Sequence, residues 1–104
     1  MRRIDLHPEA DTELIEAASA YRELSTELLN DFRLELKTAL RFLSERPEAC
    51  PLVGGDVRRK PLRRFPFILF FTVGEDSIQV WAVAHQRRRP GYWSERVRLR
   101  RRRP

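Results

Sequence analysis

Two apolar runs follow each other almost without pause, Phe67 to Val73 and Ile78 to His85, joined by Gly74-Glu75-Asp76-Ser77. Short runs rich in β-branched and aromatic residues on either side of a polar turn read as paired strands. Because successive positions are apolar, both faces of the pair need cover: helices on one side, and a partner or more of the chain on the other. Directly after His85 the chain becomes cationic and aromatic, Gln86-Arg87-Arg88-Arg89-Pro90-Gly91-Tyr92-Trp93, so the strands deliver positive charge to one edge of the sheet.

The cover for one face lies upstream. Arg3-Ile4-Asp5-Leu6 alternates as a short strand and stops at His7-Pro8. Pro8 suits a first helical turn, where its missing amide hydrogen would have no partner, and Glu9, Asp11 and Glu13 complement the positive end of the helix dipole. The spacing of Ala10, Leu14, Ala17, Ala18, Tyr21 and Leu24 predicts an amphipathic helix over about Pro8 to Leu24. Ser25-Thr26 offers a hydroxyl cap for a second helix through Leu28, Leu29, Phe32, Leu36, Ala39, Leu40 and Leu43, which Pro47 ends. Two such helices must fold back as a hairpin to bury their stripes, with Leu14, Phe32, Leu36 and Leu40 as core. Pro47 to Gly55, with two prolines and two glycines, reads as a loop. Arg58 to Arg64 reads as an edge strand in which Pro61 argues against a central place and the cations discourage aggregation.

At 104 residues with 41% hydrophobic content, the chain suits one domain and one core. We place that domain at residues 1–97 and read 98–104 as a basic disordered tail, because Arg98 and Arg100 to Arg103 form a like-charge run with little to bury. Residues 1–50 carry seven Arg/Lys against eleven Asp/Glu, whereas residues 51–104 carry fourteen against four. An acidic helical layer beside a basic sheet edge steers toward polyanions or acidic protein patches. The lone Cys50 excludes an internal disulfide and a cysteine-based zinc site, and it fits a reducing cytoplasm. No apolar window suits a signal peptide or membrane span, so a soluble cytoplasmic protein is expected.

The basic constellation comprises Arg58, Arg59, Lys60, Arg63, Arg64, Arg87, Arg88 and Arg89. A solvated face is one reading. Convergence of its two cationic runs is the other, and Tyr92 and Trp93 strengthen it, since aromatic faces beside arginines suit base stacking or a protein anchor. His85 would suit proton transfer, but no second ionisable group stands at catalytic spacing, so a strand-end role is favoured. His7 reads as a residue that opens the first helix. The two histidines and Cys50 are too scattered to hold a metal, and no cofactor is expected.

Over about Arg3 to Trp93 the chain resembles the ParE branch of the ParE/RelE toxin superfamily, the plasmid stabilisation toxins of bacterial type II toxin–antitoxin systems. The resemblance is carried by Arg63-Arg64-Phe65-Pro66-Phe67 and by Val83-Ala84-His85 with Arg87 to Trp93. It implies a RelE/ParE-like α/β (α+β) fold: strand, helix, helix, then three strands, with a mainly antiparallel sheet against a helical hairpin. It also implies a toxin that inhibits DNA gyrase and is neutralised by a cognate antitoxin in a hetero-oligomer, with Arg63, Arg64, Arg87, Arg88, Arg89, Tyr92 and Trp93 as target-binding candidates. The superfamily's ribosome-dependent mRNA endoribonucleases typically carry an arginine early in the strand that here begins at Phe67-Ile68, and a terminal tyrosine or histidine where this chain has Trp93, with Tyr92 one residue off. That incomplete set favours the ParE-like reading. If the chain were instead such a nuclease, acting on the ribosome and its mRNA, Arg87, Arg89 and Tyr92 would be its catalytic candidates. A non-toxic binding module on the same fold is the third reading.

Overall fold

The structure, a computed structural model, describes residues 1–102. β1 (Arg3–Leu6) leads into α1 (Pro8–Leu24) and α2 (Thr26–Glu45), a single 3-10 turn covers Pro47–Ala49, and β2 (Leu52–Gly54), β3 (Val57–Pro61), β4 (Phe67–Val73), β5 (Ser77–His85) and α3 (Ser94–Arg102) complete the chain. The five strands form one sheet in the order β1-β5-β4-β3-β2. Only β1 on β5 is parallel, with Ile4 opposite Ile78 and Leu6 opposite Val80; the other pairs are antiparallel.

The helical hairpin forms where the pattern places it. His7 Nδ1 accepts the Glu9 amide at 3.1 Å and so caps α1 just ahead of Pro8. Ser25 serves both helices: its amide closes α1 on the Tyr21 carbonyl at 3.0 Å, and its Oγ accepts the Leu28 amide at 2.9 Å to open α2. The buried stripe of α2, with Phe32, Leu36, Ala39 and Leu43, meets Leu69, Phe71, Ile78, Val80 and Val83 of the central strands. Leu24 departs from its expected place on the apolar face and is 72% exposed, because it lies at the very end of α1.

Pairing across β4 and β5 slips between Phe70 and Phe71: Phe70 faces Ala82, Phe71 faces Val80, and Trp81 is the extra residue. A bulge reverses which side chains face which side of the sheet. Thus Ile78, Val80 and Val83 join the helical core, while Trp81, Ala82 and Ala84 enter a second core on the opposite face.

The chain itself supplies the cover for that face. Trp93 stacks on Phe70 with ring centroids 5.0 Å apart, and Trp93 and Val97 are buried with Val57, Trp81, Ala82 and Ala84. Spaced four apart, Trp93 and Val97 fall on one side of a helical turn, which holds α3 to the sheet. Where a tail is expected from residue 98, α3 continues to Arg102; Arg103 and Pro104 lie outside the described residues. A correction concerns Pro47 to Gly55, which contains β2 rather than loop alone, so four strands follow the helices and β3, expected at the edge, is paired on both sides. Leu52 is 55% exposed, so β2 exists through its backbone pairing with β3 and not through burial. Gly55, at φ 56°, makes the left-handed turn between them.

Candidate functional site

The loop joining β3 to β4 and the segment after β5 lie at the same end of the sheet. Phe67 pairs with His85, and one residue beyond, the Gln86 amide donates to the Pro66 carbonyl at 2.8 Å. The two cationic runs therefore share one end of the sheet, but the eight-residue constellation divides. Arg63 and Arg64 are exposed in the first loop, where their backbone amides both donate to the Glu35 carboxylate of α2 and Arg64 reaches Asp31 at 3.4 Å. Arg87, Arg88 and Arg89 are exposed in the second. Arg59 lines a cleft of about 200 Å³ shared with Phe70, His85, Arg88 and Arg89. Arg58 and Lys60 take other roles: the Arg58 guanidinium donates to the Cys50 carbonyl at 2.6 Å, and the Lys60 ammonium lies 4.4 Å from the centre of the Phe42 ring.

His85 shapes the arginine segment. Its Nδ1 accepts the Arg87 amide at 3.1 Å, its carbonyl accepts the Arg88 amide at 2.9 Å, and its ring stands edge-on to Phe67. Gly91, at φ 74°, then turns the chain into α3. Trp93 does not offer a free ring for stacking on a target: only 8% of it is exposed, because the second core needs that ring against Phe70.

Tyr92 is half-buried, and its hydroxyl donates to Glu13 Oε2 at 2.7 Å. Burial first, and then this carboxylate, push its phenol well above the ordinary range. The Arg88 guanidinium covers the ring at 3.9 Å from its centre, and that of Arg96 lies 5.0 Å away.

Glu13 is the hub of this region. β1 ends at Leu6 opposite Val80, so β5 runs on without a strand neighbour on that side. Backbone groups left there need other partners. Glu13 Oε1 accepts the Val83 amide at 3.0 Å, and the Arg96 guanidinium donates to the Trp81 carbonyl at 2.9 Å. Arg96 also binds Glu13 at 2.9 Å and Glu9 at 3.0 Å. Burial pushes the Glu13 carboxyl upward, but hydrogen bonds from Arg96, Tyr92 and Val83 outweigh it and hold it below its usual value. One carboxylate thereby fastens α1, β5 and α3 together. Sequence reading assigned Glu13 only to the helix dipole and assigned Arg96 nothing. The available signal was the position of Glu13 beside Ala10, Leu14 and Ala17, inside the buried stripe and not opposite it.

Removing that carboxylate should be costly. Glu13→Ala leaves the Val83 amide and a guanidinium only 11% exposed without their shared acceptor, and the expected loss is about 2–4 kcal/mol in denaturant unfolding. Because the folded-state pKa is depressed, the contribution of Glu13 is complete above its unfolded value and fades as pH falls through the folded one. The melting temperature of Glu13→Gln should accordingly fall less than that of the parent as pH drops below about 4.3, the ordinary value for glutamate. Parallel pH profiles for the two would show that the carboxylate charge contributes nothing.

An acidic helical hairpin on one face of the sheet, an arginine segment at its end and no metal-binding cluster among the described residues form the frame for comparison with known proteins. The family model described as the ParE toxin of the type II toxin–antitoxin system parDE matches residues 4–90. The chain belongs to the ParE toxin family. No curated protein matches it. A solved structure described as the chromosomal ParDE TA system from P. aeruginosa is similar at 20% identity, with 82% of this chain and 96% of that chain covered and a TM-score of 0.69. That likeness extends the family assignment to the shared fold, an α+β domain with a mostly antiparallel five-stranded sheet. The family match ends at Pro90, so Tyr92, Trp93 and α3 lie beyond it. Among the described residues no helix is long and apolar enough to cross a membrane.

Proposed function

We propose that this ParE-family toxin acts in the cytoplasm by inhibiting DNA gyrase without performing chemistry itself, and that a cognate antitoxin silences it in a hetero-oligomer. Arg87 to Arg89, with Arg63 and Arg64 at the same end of the sheet, form the target contact in this reading. Tyr92 supports that contact from beneath and does not reach out from it. The observation that carries the choice over mRNA cleavage is the Tyr92 hydroxyl, which is already donated to Glu13 and whose proton is held tightly. A nuclease would need this group free to exchange a proton with the message. Phe67 and Ile68 likewise offer no guanidinium at the start of β4.

For the antitoxin, the large apolar side chains left outside the helical hairpin support a docking face. Ile15 is 60% and Leu34 66% exposed. A short acidic partner whose docking segment folds on binding suits both these residues and the basic sheet end. Expression of the chain alone should arrest growth of its host, and co-expression of an antitoxin-like frame found beside its gene should restore growth, its product copurifying with the chain. A chain that is harmless, soluble and partnerless in its host would contradict the toxin reading.

A further inference from the structure

Arg88 and Arg89 from the segment after β5, and Arg100 from α3, line a single cleft of about 620 Å³. None of the three is in an ion pair among the described residues. The two carboxylates that line the same cleft are engaged by other arginines, Glu9 by Arg96 and Glu95 by Arg98. Asp5 senses Arg100 at longer range but is bound to Arg3. Positive charge from two separate elements therefore faces one concavity without neutralisation. The helix is also held in place: Trp93 and Val97 are buried in the second core, and Arg96 is tied to Glu13, so α3 presents Arg100 to the cleft from an anchored backbone. From Ser94 to Arg102 the helix carries five arginines against one glutamate. At about 1.5 Å per residue the positions from Arg96 to Arg102 span roughly 9 Å of helix, and with Arg88 and Arg89 across the cleft the basic surface is wider than one phosphate group and suits neighbouring phosphates of a nucleic-acid strand.

The aromatic residues decide between kinds of strand. Binding of unpaired bases relies on exposed rings, but Trp93 is buried, and Tyr92 is covered by Arg88 and tethered through its hydroxyl. His7, which also lines the cleft, is set beside the Trp81 ring and accepts the Glu9 amide through Nδ1, so the surface offers its contacts to backbone phosphates. It also lacks the aromatic anchor that usually centres a protein interface.

We infer that the Arg88–Arg89 segment and α3 bind the phosphate backbone of duplex DNA without reading its sequence. This holds whether or not gyrase is the toxin's target, and the test uses no gyrase. The full chain is titrated against fluorescent duplex oligonucleotides of two unrelated sequences between about 50 and 200 mM salt, a range in which phosphate contacts change affinity steeply. Both duplexes should bind alike. The logarithm of the association constant should fall linearly with that of salt concentration, and Arg88→Ala/Arg89→Ala/Arg100→Ala should reduce the slope by about three, close to one per lost phosphate contact. The corresponding triple lysine variant should keep the parent slope, and both variants should stay folded, the alanine variant melting only slightly lower for loss of the Arg88 contact with Tyr92. No duplex binding at the lowest salt would overturn the inference, as would an unchanged slope in the alanine variant. Tighter binding to a single strand of the same length would overturn it equally.

Discussion

Replacing Arg87, Arg88 and Arg89 together by alanine should abolish growth arrest while leaving the protein folded. The segment's shape rests on groups that alanine retains: the Arg87 and Arg88 amides on His85, the Gln86 amide on Pro66 and the Tyr92 amide on the Arg89 carbonyl. The three guanidinium groups are exposed, and exposed charges contribute little to folding. Only the lid of Arg88 over Tyr92 has a stabilising role, of about 0.5–1 kcal/mol. Loss of toxicity beside a nearly unchanged melting temperature would locate function on this segment. A triple variant that remains fully toxic and equally soluble would move the target contact to Arg63 and Arg64 or to the helices.

Phe32→Ala should show the opposite pattern. Phe32 is fully buried, and its ring meets Tyr21 at 5.0 Å, Phe65 at 5.2 Å and Phe67 at 6.0 Å between centroids. This aromatic cluster joins α1, α2 and the start of β4 just beneath the Arg63–Arg64 loop. Truncation should cost about 3–5 kcal/mol by denaturant unfolding, a large share of the roughly 5–15 kcal/mol available to a domain of this kind. Toxicity would then fall only with the folded fraction, and a bound partner that stabilises the native state should restore that fraction, though not the toxicity. Leu34→Ala, at a side chain 66% exposed, should change stability by less than about 0.5 kcal/mol. A loss below about 1 kcal/mol at Phe32 would mean that the cluster is not the centre of the core.

Elements that announce themselves through side-chain chemistry were legible in advance. Pro8, the Ser25 cap and the stripe through Phe32, Leu36 and Leu43 delimit the hairpin, and the runs on either side of Gly74 to Ser77 delimit β4 and β5. β2 was not legible because it owes its existence to backbone pairing with β3 while Leu52 and Val53 stay exposed. α3 was hidden by its own charge: Arg98, Arg100, Arg101 and Arg102 dominate a segment whose anchors are only Trp93 and Val97. The same anchoring withdrew Trp93 from the candidate surface. Convergence of the arginine runs on one end of the sheet could be anticipated, since both flank β4 and β5. The diversion of Arg58 and Lys60 could not, because it depends on which face of β3 each residue takes and on the carbonyl left free at Cys50. Glu13 and Arg96 escaped notice for a related reason. Their pairing answers the open edge of β5 beyond Leu6, a property of the assembled sheet and of no local pattern.

We propose gyrase, and not messenger RNA, as the target of this ParE-family chain. The most direct measurement incubates the purified protein with gyrase and relaxed plasmid, and in parallel with ribosomes carrying a defined message. Supercoiling should fall in proportion to added toxin, recover with the Arg87–Arg89 alanine variant, and leave the message intact. Undiminished supercoiling together with codon-specific cuts at the ribosomal A site would contradict the account and make Arg87, Arg89 and Tyr92 catalytic.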